Sequence, residues 1–165
     1  MTQNLLSKIF ALSAELVETG RRKDKTLATA ESCTGGLIGA AITSTPGSSA
    51  VFHGGIIAYH NAVKISQLGV RPETIEAYGA VSQGAAEEMA AGCRERLKVD
   101  IAISVTGVAG PSGGSPEKPV GTVWIGLATP DRVTSQRCNF PNMSRNRVRD
   151  YTCLKALEMM IDALR

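Results

Sequence analysis

This sequence predicts a three-layer α/β/α sandwich with a mixed sheet, folded as one domain over residues 1–165. Three observations carry that reading. Short apolar runs rich in β-branched residues alternate with stretches whose apolar side chains recur at helical spacing. One such run, residues 100–105 (DIAISV), is almost continuously apolar, as a strand buried on both faces must be. Two later runs, 120–129 (VGTVWIGLAT) and 133–140 (VTSQRCNF), are separated only by Pro130-Asp131-Arg132, a hairpin spacing that adds an antiparallel pair.

The elements follow in order. Leu5, Ile9, Leu12 and Leu16 trace one face of a first helix, which Gly20 and the basic residues after it end. Residues 26–30 (TLATA) read as a strand, 30–36 (AESCTGG) as a turn and 37–43 (LIGAAIT) as a packed helix. After the turn residues 45–49 (TPGSS), residues 54–60 (GGIIAYH) read as a second buried strand. A helix beginning near Asn61 runs through Lys64 and Leu68 to Gly69, and a shorter one starts at Arg71-Pro72-Glu73 and stops near Gly79. Ser82 caps the helix over 83–97, whose apolar face holds Ala85, Ala86, Met89, Ala90 and Cys93. The stretch 106–119 (TGVAGPSGGSPEKP) has the composition of a binding loop. From Ser144, residues Val148, Tyr151, Leu154, Leu157, Ile161 and Leu164 keep helical spacing to the end.

Composition narrows the function. With 165 residues, 43% hydrophobic and 20% charged, the chain can bury a sizeable core. A net charge of only +3 and no long basic run argue against a nucleic-acid partner and favour a small anionic ligand. The four cysteines, Cys33, Cys93, Cys138 and Cys153, have no CxxC spacing, and two histidines make no zinc pattern, so reduced thiols are expected. No cleavable signal pattern and no apolar run long enough for a bilayer occur, so a cytoplasmic protein without membrane contact is expected. No Walker or GxGxxG pattern is present, which disfavours an NTPase or a dinucleotide enzyme.

The turn around Ser32 is the chemical centre. A strand-to-helix turn aims the free N–H groups of the helix's first turn at one point, where the dipole favours negative charge and an oxyanion can form. Gly35 and Gly36 suit a nucleophile elbow and a plain tight turn equally. Ser32 needs a base. In an α/β sheet the ends of the strands and the starts of the following helices converge on one crevice, so Lys64 can meet Ser32 there and, if desolvated, act as that base. Tyr59 stands at the strand's end, able to orient or relay the proton. His53 or His60 offers a rival Ser–His pair, and Cys33 a rival nucleophile whose thiol a helix N-terminus would acidify. Arg145, Arg147 and Arg149 crowd the start of the last helix, the wrong end for cations unless a phosphate sits among them. The glycines of residues 107–114 can add backbone N–H groups to such a site.

Several blocks in one order carry a resemblance: AESCTGG at 30–36, TPGSSAVF at 45–52, Tyr59 with Asn61 and Lys64, GAVS at 79–82, TGVAGP at 106–111 and KPVGTVW at 118–124. On these, nearly the whole chain resembles the C-terminal domain of the competence/damage-inducible CinA family and its stand-alone nicotinamide-nucleotide amidases. The resemblance implies a hydrolase that converts the carboxamide of nicotinamide mononucleotide to the acid and ammonia in pyridine nucleotide salvage. It implies no cofactor and no metal. Ser32 would be the nucleophile, Lys64 the base and Tyr59 a support, with the amides of Cys33, Thr34 and Gly35 around the oxyanion. Thr106, Gly107, Ala109 and Gly110 would bind substrate, with Arg145 and Arg149 on its phosphate and Arg147 turned elsewhere. His60 stands where a small hydroxyl residue is expected, and a homodimer is an expectation from similar proteins. Larger members carry a preceding nucleotide-pyrophosphatase domain, so that activity is expected to be absent here. The competing class is a non-catalytic nucleotide-binding or regulatory module.

Overall fold

The computed structural model describes residues 2–165, with side chains from residue 4 onward. In order, the chain forms α1 (Thr2–Arg22), β1 (Leu27–Glu31), α2 (Leu37–Thr43), β2 (Phe52–Ile57), α3 (Asn61–Leu68) and α4 (Pro72–Tyr78). Then come α5 (Gln83–Leu97), β3 (Ile101–Gly107), β4 (Thr122–Ala128), β5 (Val133–Asn139) and α6 (Arg145–Leu164). The five strands make one sheet in the order β2-β1-β3-β4-β5. β2, β1 and β3 run parallel, whereas β4 and β5 are antiparallel additions.

Alternation along the strands divides the core into two layers. Leu27 of β1, Ile103 and Val105 of β3 and Val123 and Ile125 of β4 pack against α1, α2 and α6 through Leu16, Ile38, Ile42, Leu157 and Met160. Each such side chain contributes about 1.5–3 kcal/mol by leaving water. The other face carries small residues: Ala28, Ala30 and Ala102 meet Leu68 of α3 and Met89 and Cys93 of α5. Small residues here let α5 lie close to the sheet. At Gly126 a β-carbon would stand 2.3 Å from the Ala86 carbonyl oxygen of α5, so only glycine fits under that helix. Both layers together give the expected three-layer α/β/α sandwich with its mixed sheet.

β2 departs from expectation. It spans residues 52–57 and lies at the edge of the sheet, with half-buried and exposed residues alternating along it, because only β1 pairs with it. Its apolar run GGII therefore reflects one covered face, not a strand buried on both. β1 ends one residue later than expected, so Glu31 belongs to the strand and the turn begins at Ser32. Among the described residues no helix is long and apolar enough to cross a membrane.

Candidate active site

The C-terminal ends of the three parallel strands deliver the site. Beyond β1, the Ser32 N–H donates to the Val105 carbonyl at 3.0 Å, fastening the turn to the central strand. Beyond β2, the Ala58 N–H donates to the Glu31 carbonyl at 2.8 Å, so the chain enters α3 alongside the same turn. His60 caps α3: its Nδ1 accepts from the Ala62 N–H at 3.1 Å. Both histidines are exposed, and it is Lys64 that contacts Ser32.

Lys64 lies on the first turn of α3 and is only 1% exposed. Its Nζ lies 3.0 Å from Ser32 Oγ, 2.8 Å from the Ala58 carbonyl oxygen and 3.2 Å from that of Tyr59. Burial holds the amine below the ordinary lysine range, and the Cys33 thiol acts in the opposite sense. A neutral amine has two N–H bonds and one lone pair. In that neutral form, with the two carbonyls accepting the N–H bonds, the lone pair would face the Ser32 hydroxyl, an arrangement able to remove its proton.

Cys33 is ill suited to be a nucleophile. It is 5% exposed, and burial, more than any neighbour, pushes its thiol up to about 12. The expected acidification by the helix N-terminus fails because burial outweighs it, and Glu31, which holds that N-terminus, acts in the same sense as burial. Glu31, 1% exposed, accepts from Thr34 Oγ1 at 2.6 Å, Gly36 N at 3.0 Å and Ile38 N at 3.1 Å through one oxygen, and from Gly39 N at 2.8 Å through the other. The first amides of α2 thus serve the chain's own carboxylate and are not free for a substrate oxyanion. Gly36, at φ 99°, makes the turn that brings them round.

A cleft of about 210 Å3 opens over this pair, and Ser32, Cys33, Tyr59, Lys64, Thr106, Gly107, Ala109 and Arg145 of the expected residues line it. Thr34, Gly35, Gly110 and Arg149 do not. Thr34 is fully buried with its hydroxyl on Glu31, and its carbonyl accepts from Arg149 at 2.9 Å. Gly110 enters indirectly, accepting from Arg145 at 2.9 Å. The Tyr59 hydroxyl accepts from the other Arg145 nitrogen at 2.9 Å, while its backbone carbonyl meets Lys64, so Tyr59 links the cation to the amine. Thr106 Oγ1 donates to the Ala80 carbonyl at 2.8 Å, leaving its lone pairs as acceptors. Arg147 is turned away, its guanidinium 5.7 Å from the Tyr151 ring centre. Among the described residues no carboxylate pairs with Arg145 or Arg149 within 4.0 Å. A larger groove of about 690 Å3 opens at the opposite end of the sheet, among Lys25, Asp100, Arg132 and Arg165. It contains no comparable pair of nucleophile and base, so size does not mark the site.

Sequence reasoning gave no role to Glu31, nor to the cleft residues Asn61, Ala80 and Val81. Glu31 had a signal: a carboxylate at the end of an apolar strand, followed by glycines and a helix start, can fold forward onto that helix's N-terminus. Ala80 and Val81 carry no chemistry that a sequence would flag.

A serine held against a buried amine, at the C-terminal edge of a three-layer α/β sheet, defines a class of α/β folds with a preassembled Ser–Lys pair. The chain belongs to the CinA C-terminal domain family, whose model matches residues 9–164. A CinA-like protein of Trichormus variabilis is 47% identical over 152 residues, 91% of this chain and 36% of that one. Another, of Synechocystis sp., is 59% identical over 110 residues, 67% of this chain and 26% of its own length. The chain thus spans about a third of the curated relatives it matches. Among solved structures, the competence/damage inducible protein CihA from Agrobacterium tumefaciens superposes with a TM-score of 0.92 at 40% identity, covering 95% of both chains. A CinA superfamily protein from Klebsiella pneumoniae gives 0.90 at 30% identity, covering 94% of this chain and 97% of that one.

Proposed function

We propose that this protein is an amidase that hydrolyses the carboxamide of nicotinamide mononucleotide to nicotinic acid mononucleotide and ammonia. The observation that carries this reading is the 3.0 Å contact between Lys64 Nζ and Ser32 Oγ, with two backbone carbonyls on the remaining positions of the amine. Binding alone needs no nucleophile beside a buried base.

Ser32 Oγ attacks the amide carbon while Lys64 takes its proton. The oxygen that becomes negative is met by the backbone N–H after Ser32, at Cys33, which lines the cleft, since those of α2 serve Glu31. Lys64 returns the proton to the departing nitrogen, ammonia leaves and an ester remains on Ser32. Lys64 then takes a proton from water, the hydroxide cleaves the ester, and the acid and the free Ser32 hydroxyl are restored. Arg145, unpaired at the cleft and already directed by Tyr59 and Gly110, holds the phosphate with the backbone of residues 107–110. Arg149, outside the cleft, steadies the turn through its bond to the Thr34 carbonyl. The role is in pyridine nucleotide salvage in the cytoplasm, carried out by a homodimer that needs no metal.

The test is to incubate the protein with nicotinamide mononucleotide in the presence of a chelator, and to follow ammonia and nicotinic acid mononucleotide beside Ser32→Ala. Product from the unaltered protein alone supports the reading. Saturable binding without product would replace it with a nucleotide-binding module, and product from both proteins would move the nucleophile elsewhere.

A further inference from the structure

Glu31 is adjacent to Ser32 but takes no part in the steps above. Its burial is nearly complete, yet both oxygens are engaged, by one hydroxyl and three backbone amides between 2.6 and 3.1 Å away. Those donors lie on both sides of the turn's apex, at Thr34 before it and at Gly36, Ile38 and Gly39 after it. The partners of a carboxylate this well satisfied resist shifting singly, because breaking the buried bond from Thr34 or Ile38 would leave an unpaired group in a dry interior. Glu31, which precedes Ser32 in the chain, thus closes residues 32–36 into a loop by bonding Thr34 within it and Gly36 at its far end. Gly35 N–H on the Ser32 carbonyl at 3.0 Å closes it further.

We propose that Glu31 is the positioning residue of this site: an internal anion at the N-terminus of α2 that sets the Ser32 hydroxyl and the following amides in register with Lys64. The inference rests on the reading that Ser32 reacts. A glutamine cannot replace this carboxylate. Whichever way its amide is turned, the NH2 group faces either Gly39 N–H or the three donors on the other oxygen, and donor meets donor. The turn must then open by about 1 Å to relieve the contact. For a reaction that depends on near-attack geometry, a misplacement of about 1 Å costs about 100-fold. Substrate affinity is set mainly by the backbone of residues 107–110 and Arg145, so it should be spared.

The experiment compares Glu31→Gln, Thr34→Val and Thr34→Ser with Asp100→Asn in the full chain, well below each thermal midpoint. Asp100 is the control. It ties strand starts together at the opposite end of the sheet by accepting from Thr26 N and Thr26 Oγ1, each at 2.9 Å. Two rates are read: kcat and KM on nicotinamide mononucleotide, and phosphonylation of Ser32 by a small fluorophosphonate. Glu31→Gln should lower kcat and the phosphonylation rate about 100-fold with KM within about threefold. Thr34→Val, which removes one of the four donors, should lower both about tenfold, and Thr34→Ser should restore them. Asp100→Asn should lower the midpoint and leave both rates within about twofold. Unchanged phosphonylation in Glu31→Gln and Thr34→Val would overturn the proposal, as would an equal loss in Asp100→Asn. If the unaltered protein is phosphonylated at Ser32 but leaves the mononucleotide intact, the substrate assignment falls while the phosphonylation rates still decide the role of Glu31.

Discussion

Lys64 Nζ and Ser32 Oγ stand 3.0 Å apart although 32 residues separate them in the chain. The contact follows from the sheet. Ala30 and Glu31 of β1 are in register with Ile56 and Ile57 of β2, so the residues that leave both strands emerge side by side. One chain turns at Ser32; the other enters α3, capped by His60, and carries Lys64 back over the turn. Two neighbouring parallel strand ends thus build the pair.

The proposed base predicts a one-proton pH profile. The rate should rise as Lys64 loses its proton and level off below the ordinary lysine value of about 10.4, because burial lowers this amine. Lys64→Arg should abolish turnover and preserve the fold, since a guanidinium does not give up its proton. Stability follows the same group. Between the lowered folded value and about 10.4, the unfolded chain binds more protons than the folded one, so stability should rise with pH across that window. Chemical denaturation at several pH values should show this rise, and Lys64→Met should flatten it.

Cys33 should be dispensable for chemistry. With its thiol pushed up to about 12 by burial, it is protonated at neutral pH. Cys33→Ala should keep kcat within a few-fold and cost about 1 kcal/mol of stability through the small cavity it leaves. Its alkylation by iodoacetamide should be slow in the folded protein, as peptide mass analysis can check.

Arg145 should discriminate by phosphate. Charge-assisted hydrogen bonds contribute about 1.5–3 kcal/mol. Arg145→Ala should therefore raise KM for nicotinamide mononucleotide about 10- to 100-fold and change that for the riboside far less. Arg149→Ala should differ in kind: removal of its bond to the Thr34 carbonyl loosens the turn and lowers kcat on both substrates. Steady-state kinetics on the two compounds separates these outcomes, and equal KM losses on both for Arg145→Ala would remove the phosphate assignment.

Sequence periodicity carried the fold because most elements bury one regular face. The apolar run of β3, the hairpin around Pro130-Asp131-Arg132 and the Ser82 cap all stand as expected. β2 did not, since glycines and isoleucines read alike in an edge strand and in a buried one. In the site, the convergence of strand ends was enough to bring Ser32 and Lys64 together. Glu31 escaped because its role depends on three-dimensional closure: a carboxylate between a strand and a helix start marks a possible fold onto that helix, but not that four donors converge on it. Tyr59 was legible as a neighbour of Lys64, but its contact through the backbone carbonyl, with the hydroxyl turned to Arg145, depends on side-chain direction that spacing does not encode.

The most direct measurement is rapid acid quenching of the protein during turnover of nicotinamide mononucleotide, followed by mass analysis of the peptide containing Ser32. The account predicts a transient ester of the nicotinic acid mononucleotide acyl group on Ser32, absent in Ser32→Ala and slow to form in Lys64→Arg. Turnover without any adduct, or an adduct on Cys33, would contradict it.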